Sequence, residues 1–277
     1  MKHKEFSVAM CVYGGDNPEH FRLAVESILE QTVPASEIVI AVDGPVPEAL
    51  EQVIREYESQ PAFQVVWMAE NLGHGEARRM SLQHCTHDLV ALMDADDLSV
   101  PQRFEKQLAV LCADETLSIV GSNIAEFIDQ MDNVVSYRNV PEDDESIKEY
   151  LKKRCPMNQM TVMFRKSAVD SVGGYLDWHH NEDYYLWIRM ALGNLRFFNI
   201  QEVLVNARIG REMYRRRGGW KYFKSEAKLQ RYMRKNRVIG VPTYVMNVGK
   251  RLILQVLCPN RLRGWIFRKF ARSEKGA

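Results

Sequence analysis

No stretch of this 277-residue chain keeps about 18 apolar residues in a row, so nothing in it reads as a membrane-spanning helix. The apolar run after Met1-Lys2-His3-Lys4 is too short for the core of a signal peptide, which makes the cytoplasm the expected compartment. Cysteine is sparse and scattered. The five, at 11, 85, 112, 155 and 258, form no Cys-x-x-Cys pair, which argues against zinc ligands and disulfides and leaves isolated core or surface thiols. A strong net charge is lacking too, but the total of +1 hides an asymmetry. Twenty of the 37 Lys and Arg fall from Arg208 to Ala277, where only Glu212, Glu226 and Glu274 oppose them, so the preceding body is acidic and the tail basic. Such a tail suits a polar, polyvalent partner.

What the chain does have is a repeated strand-turn-helix grammar with acids at the strand ends. Leu89-Val90-Ala91-Leu92-Met93 reads as a buried strand, and it stops in Asp94-Ala95-Asp96-Asp97. In open α/β sheets, ligands bind beyond the carboxyl ends of the strands, so these acids stand where a ligand would stand. Carboxylates this close repel one another, and a hard cation such as Mg²⁺ or Mn²⁺ would relieve that while offering open positions to a diphosphate. A solvated acidic turn is the alternative. Three earlier units repeat the pattern. Ser7–Tyr13 leads through Gly14-Gly15-Asp16-Asn17-Pro18 into a helix with Phe21, Val25, Ile28 and Leu29 on one face. Glu37–Asp43 ends at Gly44-Pro45 before a helix expected from Val46 to Tyr57, and Val65–Met68 precedes the glycine turn Asn71–Arg79.

These elements together resemble the family 2 glycosyltransferases. The resemblance is carried by Val12-Tyr13 with the helix end Ser27–Thr32, by Val42-Asp43-Gly44, by Asn71–Arg79, by Asp94-Ala95-Asp96-Asp97, and by Asn181-Glu182-Asp183 ahead of Tyr184-Tyr185-Leu186-Trp187. Five motifs in order over roughly the first two hundred residues are far more specific than a lone Asp-x-Asp. The chain departs from the family at Cys11, Val42, Pro45 and Arg79, where proline, aspartate, serine and asparagine are usual. The resemblance implies an α/β, GT-A nucleotide-sugar-binding fold, with a mostly parallel central sheet flanked by helices, over 1–207. A basic loop and amphipathic helical C-terminal extension is expected over 208–277.

The resemblance also implies roles. Asp96 is the expected direct metal ligand and Asp94 the second, near the ribose. Asp43 is placed to accept from a uracil imide, which favours UDP-sugars, and Tyr13 lies beside the base. A local turn and a core packing role are their ordinary alternatives. Arg78 is expected near the nucleotide because a guanidinium at a helix N-terminus suits anions, with Arg79 facing solvent. Asp183 is implied as the base that takes the acceptor's proton, with Glu182 contacting substrate, although acids in a helix's first turn also simply complement its dipole. His179 and His180 read as polar loop. Asp97 is a candidate cap for a helix beginning at Pro101. Asn206 to Gly219, with Arg208, Arg211 and Arg215 to Arg217, has the composition of a basic lid over a diphosphate.

In the tail, Thr243–Leu257 reads as a helix with Val245, Val248, Leu252, Ile253, Val256 and Leu257 on one arc and Asn247, Lys250, Arg251 and Gln255 on the other. The following Arg261–Phe270 interleaves basic and aromatic residues. That composition suits an anionic membrane surface, and peripheral attachment at the inner face of the cell membrane is expected; nucleic acid is not an expected partner. The alternative is a basic hairpin packed on the acidic body. The resulting expectation is a metal-dependent, inverting hexosyltransferase that moves sugar from a UDP-sugar to a saccharide acceptor, free or lipid-linked, in bacterial surface-polysaccharide assembly. Two rivals are weighed beside it. A sugar nucleotidyltransferase would need a glycine-rich loop with a following Arg and Lys after the first strand, which Tyr13–Pro18 does not supply. A non-catalytic membrane- or nucleic-acid-binding module is disfavoured by the joint presence of Asp96 and Asp183.

Overall fold

The computed structural model describes residues 4–210 and 218–259. Arg211 and Arg215 to Arg217 of the expected lid, and the Arg261–Phe270 segment, lie outside the described residues.

The first half is built as the apolar periodicity dictates. Strands β1 (Ser7–Tyr13), β2 (Glu37–Asp43), β3 (Phe63–Trp67) and β4 (Leu89–Met93) lie parallel in the order β3-β2-β1-β4. The central ones are buried on both faces, which is why their sequences are continuous apolar runs instead of alternating ones. Helix α1 (Pro18–Leu29) starts where Asn17 accepts from the backbone N–H groups of Glu19 and His20 and Pro18 supplies a preset φ. It buries Phe21, Ala24, Val25 and Ile28. Helix α2 (Glu48–Glu58) begins two residues later than expected, because Pro47 holds the residue before it out of the helical region. Helix α3 (His74–His84) follows β3.

In the second half antiparallel strands join the sheet, whose longest pairings stay parallel, as expected. Strand β6 (Leu117–Phe127) pairs parallel with β9 (Arg196–Arg208), but β8 (Met163–Arg165) enters antiparallel between β4 and β6. Strand β7 (Val134–Arg138) joins β6 as an antiparallel neighbour, and the two-residue β5 (Leu98–Ser99) pairs antiparallel with β9. A three-residue strand carries too little periodicity to declare its direction. Helix α4 (Arg103–Ala113) connects β5 to β6, α5 (Asp144–Leu151) and α6 (Lys166–Ser171) flank β8, and α7 (Glu182–Leu192) leads into β9. Because β9 runs to Arg208, the first residues of the expected lid are strand. All five cysteines are free thiols.

Helices α8 (Trp220–Lys235) and α9 (Val241–Leu252) follow, and α9 continues as a π-helical turn over Ile253–Leu257. The tail helix thus starts two residues earlier than expected and changes pitch at its end. Its orientation is the informative part. Most of the polar arc packs inward, Lys250 excepted: Asn247 is buried and donates to Lys152 O at 2.9 Å and Gln230 Oε1 at 2.8 Å, Gln255 is buried, and Arg251 pairs with Glu226 of α8. The apolar arc faces out, with Val245, Ile253 and Leu257 exposed by 62%, 57% and 67%. Hydrogen bonding and an ion pair dock this helix, leaving unburied the surface that amphipathic helices normally hide. Among the described residues no helix is long and apolar enough to cross a membrane.

Candidate active site

The carboxyl ends of β1, β2 and β4 open on a cavity of about 730 Å³ whose wall carries Tyr13, Asp16, Asp43, His74, Asp94 and Asp96. Tyr13 is 41% exposed, so it is no core aromatic; its backbone N–H is held by Asp16 at 2.9 Å. Asp43 is buried, and its carboxylate accepts from the backbone N–H groups of Leu72 at 2.7 Å and Gly73 at 3.0 Å. It pins the β3–α3 loop to the end of β2, in place of a turn local to Gly44-Pro45. Gly44 is required at this junction, since φ is +80° and a Cβ would lie 2.4 Å from the Asn71 nitrogen.

Asp94 and Asp96 both reach the cavity, and each is secured differently. Arg78, expected beside the nucleotide, is sealed beneath the strand ends and meets the cavity only through its ion pair with Asp94. It also donates to Met93 O at 3.2 Å and to His74 Nε2 at 3.2 Å. Arg79, by contrast, is partly exposed and pairs with Glu76. Burial, with Asp94 and Asp16 alongside, pushes the Asp96 carboxyl up to about 7, against the pull of Arg208. Such crowding of acids in a half-closed cavity makes the ionised form of each costly. Asp97 does not cap the helix that follows, which starts at Arg103. It is buried and accepts from the Arg208 backbone N–H at 2.8 Å, and burial and its two acidic neighbours push its pKa well above the usual range.

Arg208 is likewise fixed. Its Nε donates to Asp96 O at 3.1 Å, a second nitrogen donates to Asp129 O at 2.7 Å, and its guanidinium stacks 4.6 Å over the Phe127 ring. It braces the acidic turn and is no part of a loop. Sequence reasoning missed Arg103, a wholly buried guanidinium donating to Leu92 O at 2.6 Å and Ser99 Oγ at 2.9 Å under the same turn. Burial lowers its pKa to about 9, while Asp97 and Asp94 pull it back up. An arginine in a helix's first turn has no pattern that marks it as buried, so no sequence signal pointed to it.

The two acids opening α7 go separate ways. Glu182 is buried against α3, with Oε1 3.4 Å from His74 Nδ1. Burial, and then Asp183, push its pKa up to about 8, whereas burial and Arg78 hold His74 down to about 4. With Nε2 accepting from Arg78, the neutral His74 carries its proton on Nδ1, so the contact with Glu182 is no ion pair at neutral pH. Asp183 turns instead into a second cavity, of about 560 Å³, shared with Arg138, Cys155 and Tyr222. Its Oδ1 accepts from the Tyr184 N–H at 2.6 Å and its Oδ2 from the Cys155 thiol at 3.6 Å. Burial and the Asp183 charge push the Cys155 pKa up, which keeps that sulfur a neutral donor. His180, expected to be ordinary loop, lines both cavities, with φ of +55°.

Acids stand at the strand ends of a parallel half-sheet, and the N-terminus of α7 brings a further acid to the adjoining cavity, an architecture of the nucleotide-sugar-binding α/β class. The chain belongs to glycosyl transferase family 2, whose family model matches residues 7–172. It is 37% identical over 227 residues to the amylovoran biosynthesis glycosyltransferase AmsE of Erwinia amylovora, covering 82% of this chain and 84% of that one. It is 34% identical over 268 residues to an Escherichia coli UDP-Gal:α-D-GlcNAc-diphosphoundecaprenol β-1,3-galactosyltransferase, covering 97% of each. Among solved structures, an S. aureus TarS fragment in complex with UDP-GlcNAc superposes with a TM-score of 0.67 at 14% identity, over 96% of this chain and 76% of that one. The GT-A fold and glycosyltransferase activity are therefore established for this protein.

Proposed function

We propose that the enzyme transfers a hexose from a UDP-sugar to a hydroxyl of a lipid-linked saccharide, with inversion, in the assembly of a bacterial cell-surface polysaccharide. The observation that carries this reading is the placement of Asp183 in a cavity beside, but distinct from, the one walled by Asp94 and Asp96. Donor and acceptor can then approach from opposite sides, meeting near His180. Asp183 takes the proton of the acceptor hydroxyl as its oxygen bonds to the anomeric carbon, while the bond to the diphosphate breaks and UDP leaves from the other face. No covalent intermediate is needed. Cys155 and the Tyr184 N–H hold the carboxylate ready for that proton.

Asp96 and Asp94 would hold Mn²⁺ or Mg²⁺, and their all-oxygen donor set fits a hard cation. Among the described residues no three His, Cys, Asp or Glu side chains gather as a ready-made metal site, so the remaining ligands would come from the diphosphate and water. When bound, the ion offsets the charge that develops on the leaving diphosphate. Tyr13 and Asp43 would meet the uracil, Asp43 with acceptor capacity beyond the two backbone N–H groups it already takes. Arg78 and Arg208 position the acidic turn, and burial with Arg78 keeps His74 neutral in the donor wall, beside Glu182.

The acceptor named for the E. coli relative is a diphosphoundecaprenol-linked sugar, and an exposed apolar arc on α9 within a basic segment fits work at the inner face of the cell membrane. Residues 208–277 would then be the membrane-facing extension. The decisive experiment is Asp183→Asn. UDP-sugar binding should persist while transfer falls by about 10²-fold or more, the usual scale for loss of a general base, and proton NMR of the wild-type product should show the inverted anomer. Transfer within a few-fold of wild type would make Asp183 structural.

A further inference from the structure

We propose that the cavity containing Asp183 is a binding site for the diphosphate of the lipid-linked acceptor, held by Arg138, Lys153, Arg154 and Lys250. This rests on the reading of Asp183 as the acceptor's base.

The two adjoining cavities differ in the sign of their charge. Among the described residues, the donor cavity is walled by four aspartates with neither lysine nor arginine in its lining. Among the described residues, the second is lined by five Lys and Arg residues against Asp183 and Glu226, and Glu226 is already neutralised by Arg251. A neutral sugar would not call for that excess, whereas a polyvalent anion tethered to the sugar would. Arg138 is built into the wall, donating to Cys155 O at 2.8 Å, and its buried Nε has no protein partner. Cys155 also touches Asp183, so one residue links the cationic wall to the base.

The same cavity has an apolar exit. Met246 and Leu254 line it, and both lie on the helical segment whose outer face exposes Val245 and Ile253. A prenyl chain leaving the diphosphate would pass along this rim to the unburied arc, while the sugar on the other end of the diphosphate would lie toward Asp183. One cavity thus carries cationic, acidic and apolar side chains, the three kinds that headgroup, hydroxyl and lipid would need.

The test is calorimetry of the full-length protein with geranyl diphosphate in EDTA, where the aspartate-walled cavity has no cation with which to retain a diphosphate. Wild type should bind, at least tenfold tighter than geraniol or dihexanoyl phosphatidylglycerol, and the affinity should fall steeply with salt. Lys153→Glu and Lys250→Glu, both at exposed side chains, should each weaken binding about tenfold while leaving UDP affinity in Mn²⁺ within about twofold. Inorganic pyrophosphate should bind more weakly than the geranyl ester but lose affinity in the same variants. Equal binding of geraniol or of the phospholipid, indifference to both charge reversals, or displacement of the probe by UDP with Mn²⁺ would each overturn the proposal. Failure of UDP to bind in Mn²⁺ would instead count against the donor-site reading, with the EDTA arm still deciding this one.

Discussion

Arg78, with no exposed surface, carries Asp94 into the donor cavity from below. Its guanidinium also ties the strand ends together through Met93 O and steadies the His74 ring, so one buried cation fixes the end of β4 and the first turn of α3. Removing it would leave a carboxylate and carbonyls without their partner. Arg78→Met should destabilise the protein by about 3–5 kcal/mol, the usual cost of breaking a buried pair. Arg78→Lys should fold and lose at least about tenfold in UDP affinity, as a point charge replaces a planar fork that serves several acceptors at once. Thermal melts and calorimetry check both, and unchanged UDP binding in Arg78→Lys would show that Asp94 needs no such brace.

Asp96 is the second test of the donor wall. Asp96→Ala should abolish the dependence of UDP binding on Mn²⁺, because the diphosphate then lacks the cation that the acidic turn would hold. The measurement is UDP affinity in chelator and in Mn²⁺ for both proteins. Equal affinity in the two buffers for wild type would remove the metal from the account.

Legibility in the sequence followed the strength of each physical signal. The four parallel strands and their helices were readable because a doubly buried strand must be a continuous apolar run, and Asn17-Pro18 caps α1 by local chemistry. The acids at 43, 94, 96 and 183 were readable because charge at a strand end or helix start is conspicuous. What was not readable depends on three-dimensional pairing. Arg78 and Arg208 are cations whose partners lie far away in sequence, so exposure could not be told from burial. The three-residue β8 has no period of its own. Which face of the tail helix packs inward was decided by Glu226 and Gln230 on α8, partners that helical periodicity does not disclose.

Glu182 gives a pH-dependent prediction. Its folded pKa, about 8, is raised above the usual 4.5 by burial and then by Asp183. The stability that its proton confers is therefore full below about 4.5 and is lost as pH rises toward 8. Glu182→Gln keeps the shape and removes the titration. Relative to that variant, wild type should lose on the order of 1 kcal/mol per pH unit between pH 5 and pH 8 in metal-free buffer. Parallel melting curves across that range would mean that Glu182 ionises as freely in the folded protein as in the unfolded chain.

The outward apolar arc of α9 gives the most particular prediction. Val245, Ile253 and Leu257 are each more than half exposed, and Asn247 and Arg251 behind them dock to Lys152, Gln230 and Glu226. A bilayer could therefore take the arc without undocking the helix. Basic residues near an anionic surface contribute about 1 kcal/mol each and burial of the arc adds to this, so attachment should be strong at low salt and weaken as salt screens it. Full-length protein should float with phosphatidylglycerol vesicles. Val245→Glu with Ile253→Glu should release it while leaving the melting temperature and UDP binding within error, since neither side chain is in the core. Truncation before Thr243 is a harsher test, because it also removes Asn247 and Arg251 and should lower stability. If the full-length protein fails to float at low salt, or the double glutamate variant floats as well as wild type, the arc has no membrane role and the basic segment serves the packing of the domain alone.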